Sequence, residues 1–384
     1  MRHSVIGDLD RWLRGEFQEI NTSLEEIYFA EKAIVLQDRD DVDSLTSFLV
    51  RDGGALIARV AERRELPADP EARYELLGMI GFYLGACRRH EVSPADVSPL
   101  AQALASSLGV APRFSSAHQH IRNRAVGGAF NSFTTLDSER IFLTYNGLSV
   151  MAYRRAAFAL LSIPALGVSN PLATYHFADA VAALRDVMKY NKVLAAELDV
   201  DRFFYNIRPY FKSYRVGAAE YRGANAGDFA AINAIDVLLG LCSPHDPFYQ
   251  WVVLDKTPYV APSDLPLLRD LGLLPSLLAQ VEQELSAGIS APLKENAALL
   301  LDACREHGAA TVYHHNRLVL PFLQEPAAHA PEERQTDMTA SGPPLEVVIE
   351  TLARLRDLRA ARSRPGLDTA RPVIDRVRAL LDGA

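Results

Sequence analysis

The feature that most constrains the fold is the recurrence of long amphipathic helical patterns with almost no strand patterns between them. In the segment 172–200, Phe177, Val181, Leu184 and Met188 follow one another at three- and four-residue steps, which places them on one face of a helix. Similar patterns occupy the segments 74–88, 147–161, 265–288, 293–320 and 345–362. Alternating apolar and polar runs bounded by turn residues are scarce. The sequence therefore predicts an all-α protein.

Breaks in the helical pattern predict how the chain is divided. The first 110 residues hold short helical stretches interrupted by Asp, Gly and Pro, as in RDGGAL and RELPADPEARYE. The longer helices come later. We therefore expect a small N-terminal helical unit over residues 1–110 and a large helical domain over residues 111–384. The stretch 324–344 is polar and Pro-rich, which is typical of a mobile loop that can act as a lid.

Charge, hydropathy and cysteine spacing exclude several classes of protein. A net charge of −8 argues against a nucleic-acid binder, and no apolar run approaches the ~20 residues that cross a bilayer. The first residues lack the apolar core of a secretory signal, so we expect a cytoplasmic protein. Cys87, Cys242 and Cys304 lie far apart without CxxC or CxxCH, which argues against a disulfide framework, a zinc site and a c-type haem.

The best candidate for a cofactor ligand lies late in the pattern 293–320. Gly308, Thr311 and His315 share one helix face there, with the small residues one and two turns before the histidine. A flat cofactor could lie close to this backbone, with His315 reaching its centre, and Pro321 is expected to end the helix. A histidine on an apolar face is, however, more often a hydrogen-bonded core residue than a ligand. The pattern by itself leaves both interpretations open.

Neighbouring histidines give weaker signals. His314 is turned about 100° from His315, toward the face of His307. His118 and His120 have the i, i+2 spacing of some metal ligands, but the sequence places no third ligand near them. We expect this pair to form part of a polar pocket wall.

A second candidate site is the aromatic-rich segment 203–242. Arg208 and Arg215 lie among Phe and Tyr residues, and the small-residue loop 223–227 leads to Asp228 and an amphipathic helix. A guanidinium group binds a carboxylate through two parallel hydrogen bonds, so an arginine among aromatics suits a substrate with a ring and a carboxylate. The same residues could also be a surface arginine packed on tyrosines and an ordinary N-cap loop.

A series of short motifs runs through residues 75–362. In chain order they are Gly81–Gly85 with Arg89-His90, Phe203-Phe204 with Arg208, Asn225-Ala226-Gly227, Asp236–Gly240, Tyr259–Pro262, Tyr313-His314-His315 and Thr339–Pro344. Their order and spacing resemble the indoleamine and tryptophan 2,3-dioxygenase superfamily. The closer resemblance is to its bacterial branch, which includes the pyrrolnitrin-pathway enzymes that form monodechloroaminopyrrolnitrin.

The resemblance implies a haem b cofactor and assigns residues to it. His315 takes the position of the proximal iron ligand, with the other axial position open to dioxygen or peroxide. The remaining candidates for contact with the cofactor are Asn225, Ala226, Gly227, Gly308 and Thr311.

The resemblance also implies a binding site for an aromatic amino acid. Arg208 would bind the substrate carboxylate, beside Phe203 and Phe204 around the ring, and Ser341 would donate a hydrogen bond from the closing loop. Tyr145 and His118 are further candidates by position. The implied reaction is oxygenation or oxidative rearrangement of tryptophan or a related aromatic amino acid. Because Ser341-Gly342 is followed here by two prolines, unlike the closing loop of the dioxygenases, we expect a role in specialised metabolism.

Two alternatives from other classes stay open at the level of sequence. A non-enzymatic haem sensor or storage protein would have a second histidine such as His118 on the iron, and a helical module without a cofactor would use His315 in its core. The oligomeric state is also open, with a homodimer as one alternative. Neither rival requires Arg208 among aromatic residues, which favours the enzyme.

Overall fold

The fold is taken from a computed structural model that describes residues 4–63, 66–326 and 345–383. Helices account for 71% of the structure. Among the described residues the sheet consists of two short antiparallel strands, in which Tyr214 pairs with Tyr221 and Val216 with Ala219. The prediction of an all-α protein is confirmed. No helix in the described ranges is both long enough and apolar enough to cross a membrane.

Six helices form the first third of the chain, ahead of the long central pair. They are α1 (Val5–Leu13), α2 (Glu16–Ala30), α3 (Asp40–Ala61), α4 (Pro70–Arg89), α5 (Ser98–Leu108) and α6 (Ser116–Gln119). Glycines on α4 allow the close packing of this region. A Cβ on Gly81 would collide with the backbone of Phe114, so the helix can meet this segment only where a side chain is missing.

The long central helices are α7 (Asp137–Leu166) and α8 (Pro171–Glu197). Asn170 caps α8, because its side-chain oxygen accepts a hydrogen bond from the N–H of Leu172 at 2.9 Å, and Pro171 occupies the first turn. Their four-residue connection makes α7 and α8 antiparallel neighbours, and α14 (Ala291–His314) packs beside α8. Buried faces of these three helices form one large hydrophobic core, together with the shorter helices Ala231–Leu238, Leu277–Ala287 and Arg371–Asp382.

The chain between α8 and α14 is made of shorter elements. They are α9 (Val200–Arg202), a π-helix (Phe203–Ile207), a 3-10 helix (Arg208–Phe211), β1 (Tyr214–Val216), β2 (Ala219–Tyr221), α10 (Ala231–Leu238), α11 (Pro247–Lys256), 3-10 turns (Thr257–Tyr259 and Pro262–Asp264), α12 (Leu265–Arg269), a 3-10 turn (Leu271–Leu273) and α13 (Leu277–Ala287). The single helix expected over 265–288 is therefore divided, because the chain turns at Asp270–Ser276 before Ser276 caps α13.

The C-terminal part contains α14, a second π-helix (His315–Gln324), α15 (Leu345–Arg359) and α16 (Arg371–Asp382). Pro321 does not end the helical path as expected. The ten-residue π-helix continues through it to Gln324. Proline donates no hydrogen bond in either type of helix, but the wider π-helical turn relieves the collision of its ring with the carbonyl of residue i−4 that breaks an α-helix. Helices of this type occur frequently at functional sites.

A second hydrophobic core lies around α1, α3, α4 and α5. It also includes later residues, among them Leu194, Phe203, Tyr210 and Phe322. The packing of the N-terminal helices thus uses residues from both sides of position 110. The division into units 1–110 and 111–384 stays a prediction.

Candidate active site

A cavity of about 270 Å³ lies where the two π-helices meet α7, α8 and the loop before α10. Much of its wall is apolar, and its aromatic members are Phe142, Tyr153, Phe203, Phe211, Phe229 and Phe322. The polar members are fewer and include Ser116, Gln119, His120, Asn146, Asn191, Arg208, Thr311, His314, His315 and Arg359. Such a wall, apolar with a few polar groups, is typical of a small-molecule site.

Arg208 is the most unusual group in this wall. Its side chain is buried, at 6% exposure, yet it forms no ion pair with any carboxylate of the described residues, and its Nε has no hydrogen-bond partner there. Burial lowers the pKa of this guanidinium to about 10, so it is charged at neutral pH. A buried unpaired charge is costly. Arg208 therefore lies where an anionic ligand would stabilise it.

The histidine pair at the junction of α14 and the second π-helix also faces the cavity. His315 is buried, and its Nδ1 has no hydrogen-bond partner among the described residues. His314 lines the same cavity, contrary to its expected direction. The expectation assumed α-helical pitch, whereas the wider π-helical turn beginning at His315 alters the angle between successive side chains.

The loop with Asn225, Ala226 and Gly227 lines the cavity as expected. Its shape is fixed from within: the Asn225 side-chain oxygen accepts a hydrogen bond from the Gly227 N–H at 2.9 Å. Asp228 accepts from the Asn225 N–H at 3.1 Å and forms two hydrogen bonds with the Arg222 guanidinium. These internal bonds hold the loop backbone against the cavity before any ligand binds.

His120, one of the two histidines expected to form part of a polar pocket wall, lines another wall of the cavity. His120 Nδ1 donates to the Ser116 carbonyl oxygen at 2.9 Å, so its Nε2 is the acceptor of a 3.0 Å bond from the Asn146 amide. Burial lowers the pKa of His120 to about 4, and the ring is neutral. Beside it, the buried Nε2 of Gln119 has no partner in the described part of the chain. The spacing of His118 and His120 marked this segment, but a single helical turn does not reveal which ring faces a cavity.

Some of the predicted residues lie elsewhere. His118 is not in the cavity wall, because its Nδ1 accepts from the Ser115 N–H and its Nε2 donates to the Tyr74 carbonyl oxygen at 2.8 Å. Tyr145 packs beside the second hydrophobic core, and its neighbour Asn146 reaches the cavity. Phe204 is not among the residues that line the cavity. Its ring packs against Arg208, with the guanidinium carbon 5.4 Å from the ring centre.

Two other candidates share the helix face of His315, and one of them lines the cavity while the other does not. Thr311 lines the cavity, with its hydroxyl bonded to the His307 carbonyl oxygen at 3.0 Å. Gly308 faces away: a Cβ there would lie 2.9 Å from the Arg359 carbonyl oxygen and from the Ala360 Cα. Its small size serves the approach of the end of α15 rather than that of a ligand. Ser341 and most of the expected lid, 327–344, lie outside the described residues.

Behind the cavity lies a fully buried polar network centred on Asp236. This carboxylate accepts from His307 Nε2 at 2.7 Å, from Tyr249 Oη at 2.8 Å and from Arg359 Nη2 at 2.8 Å. Burial alone would raise the pKa of Asp236, but Arg359 and the His307 hydrogen bond outweigh it and hold the pKa well below its ordinary value. Because Arg359 also reaches the cavity, the network fixes one part of its wall.

A family model described as monodechloroaminopyrrolnitrin synthase PrnB matches residues 3–381. The chain belongs to this family. PrnB enzymes form part of the indoleamine and tryptophan dioxygenase-like haem oxygenase superfamily and act as oxygenases on aromatic amino acid derivatives. The resemblance read from the motifs is confirmed, and so is the prediction of an enzyme.

Enzymes of the PrnB family depend on haem, and the cavity residues are compatible with such a group. A buried imidazole whose Nδ1 lacks a protein partner, on a wall rich in aromatic rings, offers what a haem needs from its protein: one strong axial ligand and apolar surroundings. The loop 225–227 adds a rigid backbone edge beside it.

Proposed function

We propose that this PrnB-family protein binds haem b through His315 and oxidises tryptophan or a closely related aromatic amino acid. The observation that carries the proposal is the buried, unpaired guanidinium of Arg208 in the same aromatic-walled cavity as His315. A positive charge without a counter-ion predicts an anionic substrate, and the surrounding rings predict an aromatic one.

Haem b would be held by His315, with the loop 225–227 and Thr311 beside it. When bound, haem supplies an iron centre that activates dioxygen or peroxide. The chain's own residues bind and orient the substrate and keep water out. This division agrees with the general role of a protein around a redox cofactor, which is position and polarity.

Arg208 would fix the substrate through its carboxylate. Two parallel hydrogen bonds to a planar guanidinium define the orientation of the carboxylate as well as its position. Phe203 and Phe211 lie along the same wall and provide apolar surface for the ring. Because the site is buried, the attraction between the two charges is weakly screened.

His120 would act as a neutral polar group on the wall. Its Nδ1 proton is held by the Ser116 carbonyl oxygen, and its Nε2 is occupied by Asn146. Gln119 lines the same cavity, and its amide nitrogen, which has no partner among the described residues, could donate to a polar atom of the substrate. We therefore assign Gln119 and His120, rather than His118 and Tyr145, to contacts with the substrate.

The sensor or storage alternative is less well supported, because His118, its example of a second iron ligand, is held elsewhere. Both ring nitrogens of His118 are used by Ser115 and Tyr74, and a Cβ on Gly78 would collide with its ring, so the side chain is tightly enclosed.

We further propose that the enzyme works in specialised metabolism and that its oxidant is dioxygen or peroxide.

The first experiment records absorption spectra of the haem-reconstituted protein with and without L-tryptophan. We expect a Soret band in the wild type, its loss or strong decrease in His315→Ala, and its retention in the matched variant His314→Ala. Equal loss in both variants, or no Soret band in the wild type after reconstitution, would overturn the assignment of His315.

A second measurement separates substrate binding from haem binding. Arg208→Met should keep the Soret band but weaken the spectral response to L-tryptophan about 10- to 100-fold, since hydrogen bonds to charged groups contribute about 1.5–3 kcal/mol. Tryptamine, which lacks the carboxylate, should bind wild type and variant alike. If Arg208→Met weakened both ligands equally, Arg208 would not be the carboxylate site.

A further inference from the structure

A second concavity lies between α14, the end of α15 and α16. It is distinct from the cavity lined by Arg208 and His315, which is called the haem-site cavity here because we propose that it holds haem. It has a volume of about 510 Å³ and is open to solvent. Six arginines line it, and we call it the arginine groove: Arg305, Arg317, Arg359, Arg362, Arg371 and Arg378. Nothing in the proposed reaction uses this surface.

The arginine groove is positive in a protein that is negative as a whole. The chain carries a net charge of −8, yet no acidic residue is among those that line the groove. Such concentration of one sign inside a concave surface raises the local concentration of ions of the opposite sign. The groove is therefore suited to an anion.

Part of this charge is not neutralised by the protein. Four of the six arginines are paired within the protein: Arg305 with Asp302 and Glu306, Arg359 with Asp236, and Arg371 and Arg378 with Asp375. Arg317 is exposed and forms no ion pair with a carboxylate of the described residues. Arg362 lies 3.9 Å from Asp357, whose oxygens are already bound at 2.8 Å by Arg356 and at 2.9 Å by Arg364. The guanidinium groups of Arg317 and Arg362 thus keep N–H donors available for a ligand.

The floor of the arginine groove is apolar. Met188, Leu241, Leu301 and Ile374 contribute to it, beneath the arginine side chains. Burial of an apolar group on this floor would add to the attraction of the charges. A ligand matched to both features has an anionic headgroup and an apolar body.

The backbone at the edge of the arginine groove has an unusual conformation. Ala361 is buried and has φ 46°, a left-handed backbone conformation that residues other than Gly and Asn rarely adopt. It directly follows Ala360, which packs on Gly308 of α14. The turn brings Arg362 back toward α14. Backbone conformations of this kind cluster at ligand sites.

We propose that the arginine groove binds a small organic anion, a carboxylate or phosphate carried on an apolar body. The concave shape and apolar floor favour a small molecule over the flat acidic face of a protein. This inference does not depend on the proposed reaction: Arg359 is the one described residue that lines both cavities, and the donors argued for the groove are Arg317 and Arg362.

The test is calorimetric titration of the full-length protein with 3-phenylpropionate, phenyl phosphate and inorganic phosphate. All titrations use Arg208→Met as the background, so that the haem-site cavity does not bind the carboxylate. The groove variant adds Arg317→Gln and Arg362→Gln. The matched control adds Arg140→Gln and Arg269→Gln, two arginines that are each 75% exposed on other surfaces.

We expect at least one organic probe to bind, with an affinity that falls roughly ten-fold or more in the groove variant and stays unchanged in the control. The tighter of the two organic probes identifies the headgroup. Binding should also weaken at high salt, because Arg317 and Arg362 are solvent-exposed. Absence of binding by both organic probes, or an equal loss in the control variant, would overturn the proposal. Equal affinity for inorganic phosphate and phenyl phosphate would overturn the role of the apolar floor.

Discussion

The protein interior contains two groups of buried polar side chains that differ in how they are partnered. Around Asp236, one carboxylate receives hydrogen bonds from His307, Tyr249 and Arg359, so the negative charge is neutralised within the protein. In the wall of the aromatic-walled cavity of about 270 Å³, Arg208 has no carboxylate partner among the described residues. Both groups lie near the same cavity.

The difference separates a structural role from a binding role. A buried charge that is paired and hydrogen-bonded stabilises the fold only while its partners remain, whereas an unpaired one is a cost that a ligand can remove. Asp236 connects α10, α11, α14 and α15 around the cavity, and Arg208 lies at its surface. Substitutions in the two groups should therefore differ in their effect on stability, from a large loss at Asp236 to almost none at Arg208.

Removal of the central carboxylate should have the largest effect. Asp236→Ala leaves Arg359 buried and unpaired, and should lower the free energy of unfolding by about 3–5 kcal/mol. Asp302→Ala, which removes a surface partner of Arg305, should cost less than about 1 kcal/mol. Urea denaturation followed by circular dichroism measures both. Similar losses in the two variants would remove the distinction between this network and the surface.

A side chain added at Gly308, where the end of α15 packs on α14, should lower the stability of the protein by an intermediate amount. Gly308→Ala places a Cβ 2.9 Å from two backbone atoms at the end of α15, and we expect a loss of about 1–3 kcal/mol. The control is Gly227→Ala, whose Cβ would meet only the Asn225 side-chain oxygen at 3.4 Å. Thermal melting compares them, and an equal or larger loss at Gly227 would contradict the close packing of α15 on α14.

Lys256 extends the Asp236 network and should make the stability of the folded protein depend on pH. Its ammonium group donates to Asn233, which bonds to Tyr249, and burial lowers the pKa of Lys256 to about 8. In the unfolded chain the pKa is near 10.4, so above pH 8 the unfolded state binds more protons and stability rises with pH.

The measurable window for Lys256 is pH 8 to 9.5. Across it, the unfolding free energy of the wild type should rise by about 1.5 kcal/mol relative to Lys256→Met, in which this group cannot titrate. The matched variant Lys294→Met, at an exposed site, should follow the wild type. Parallel curves for wild type and Lys256→Met would show that Lys256 keeps an ordinary pKa.

The smallest effect on stability should come from Arg208. Arg208→Met removes an unpaired buried charge and keeps a long apolar side chain, so the free energy of unfolding should change by less than about 1 kcal/mol or increase. Chemical denaturation in the absence of ligand measures it. A loss of 3 kcal/mol or more would show that Arg208 has a structural partner and would contradict its assignment to the substrate.

Several elements of the fold could be predicted because their signals are local. The helix expected over 172–200 is α8, and the pattern over 345–362 is α15, since side-chain periodicity and capping residues act within a few turns. The division of 265–288 was missed, because its leucine spacing fits a continuous helix. The π-helix at His315 was also missed, because no single residue in that stretch signals a change of pitch.

By itself the sequence determined the all-α class, the order of the family motifs, and the position of Arg208, His315 and the loop 225–227 in the chain. Tertiary structure decided which side chains meet. It brought His120 and Asn146 to the cavity in place of His118 and Tyr145, used Gly308 to pack a helix, and gathered the arginine groove from α14, α15 and α16. The physical reason is range: periodicity and motifs report contacts within a few residues, whereas pairing, burial and cavity walls depend on residues more than a hundred positions apart.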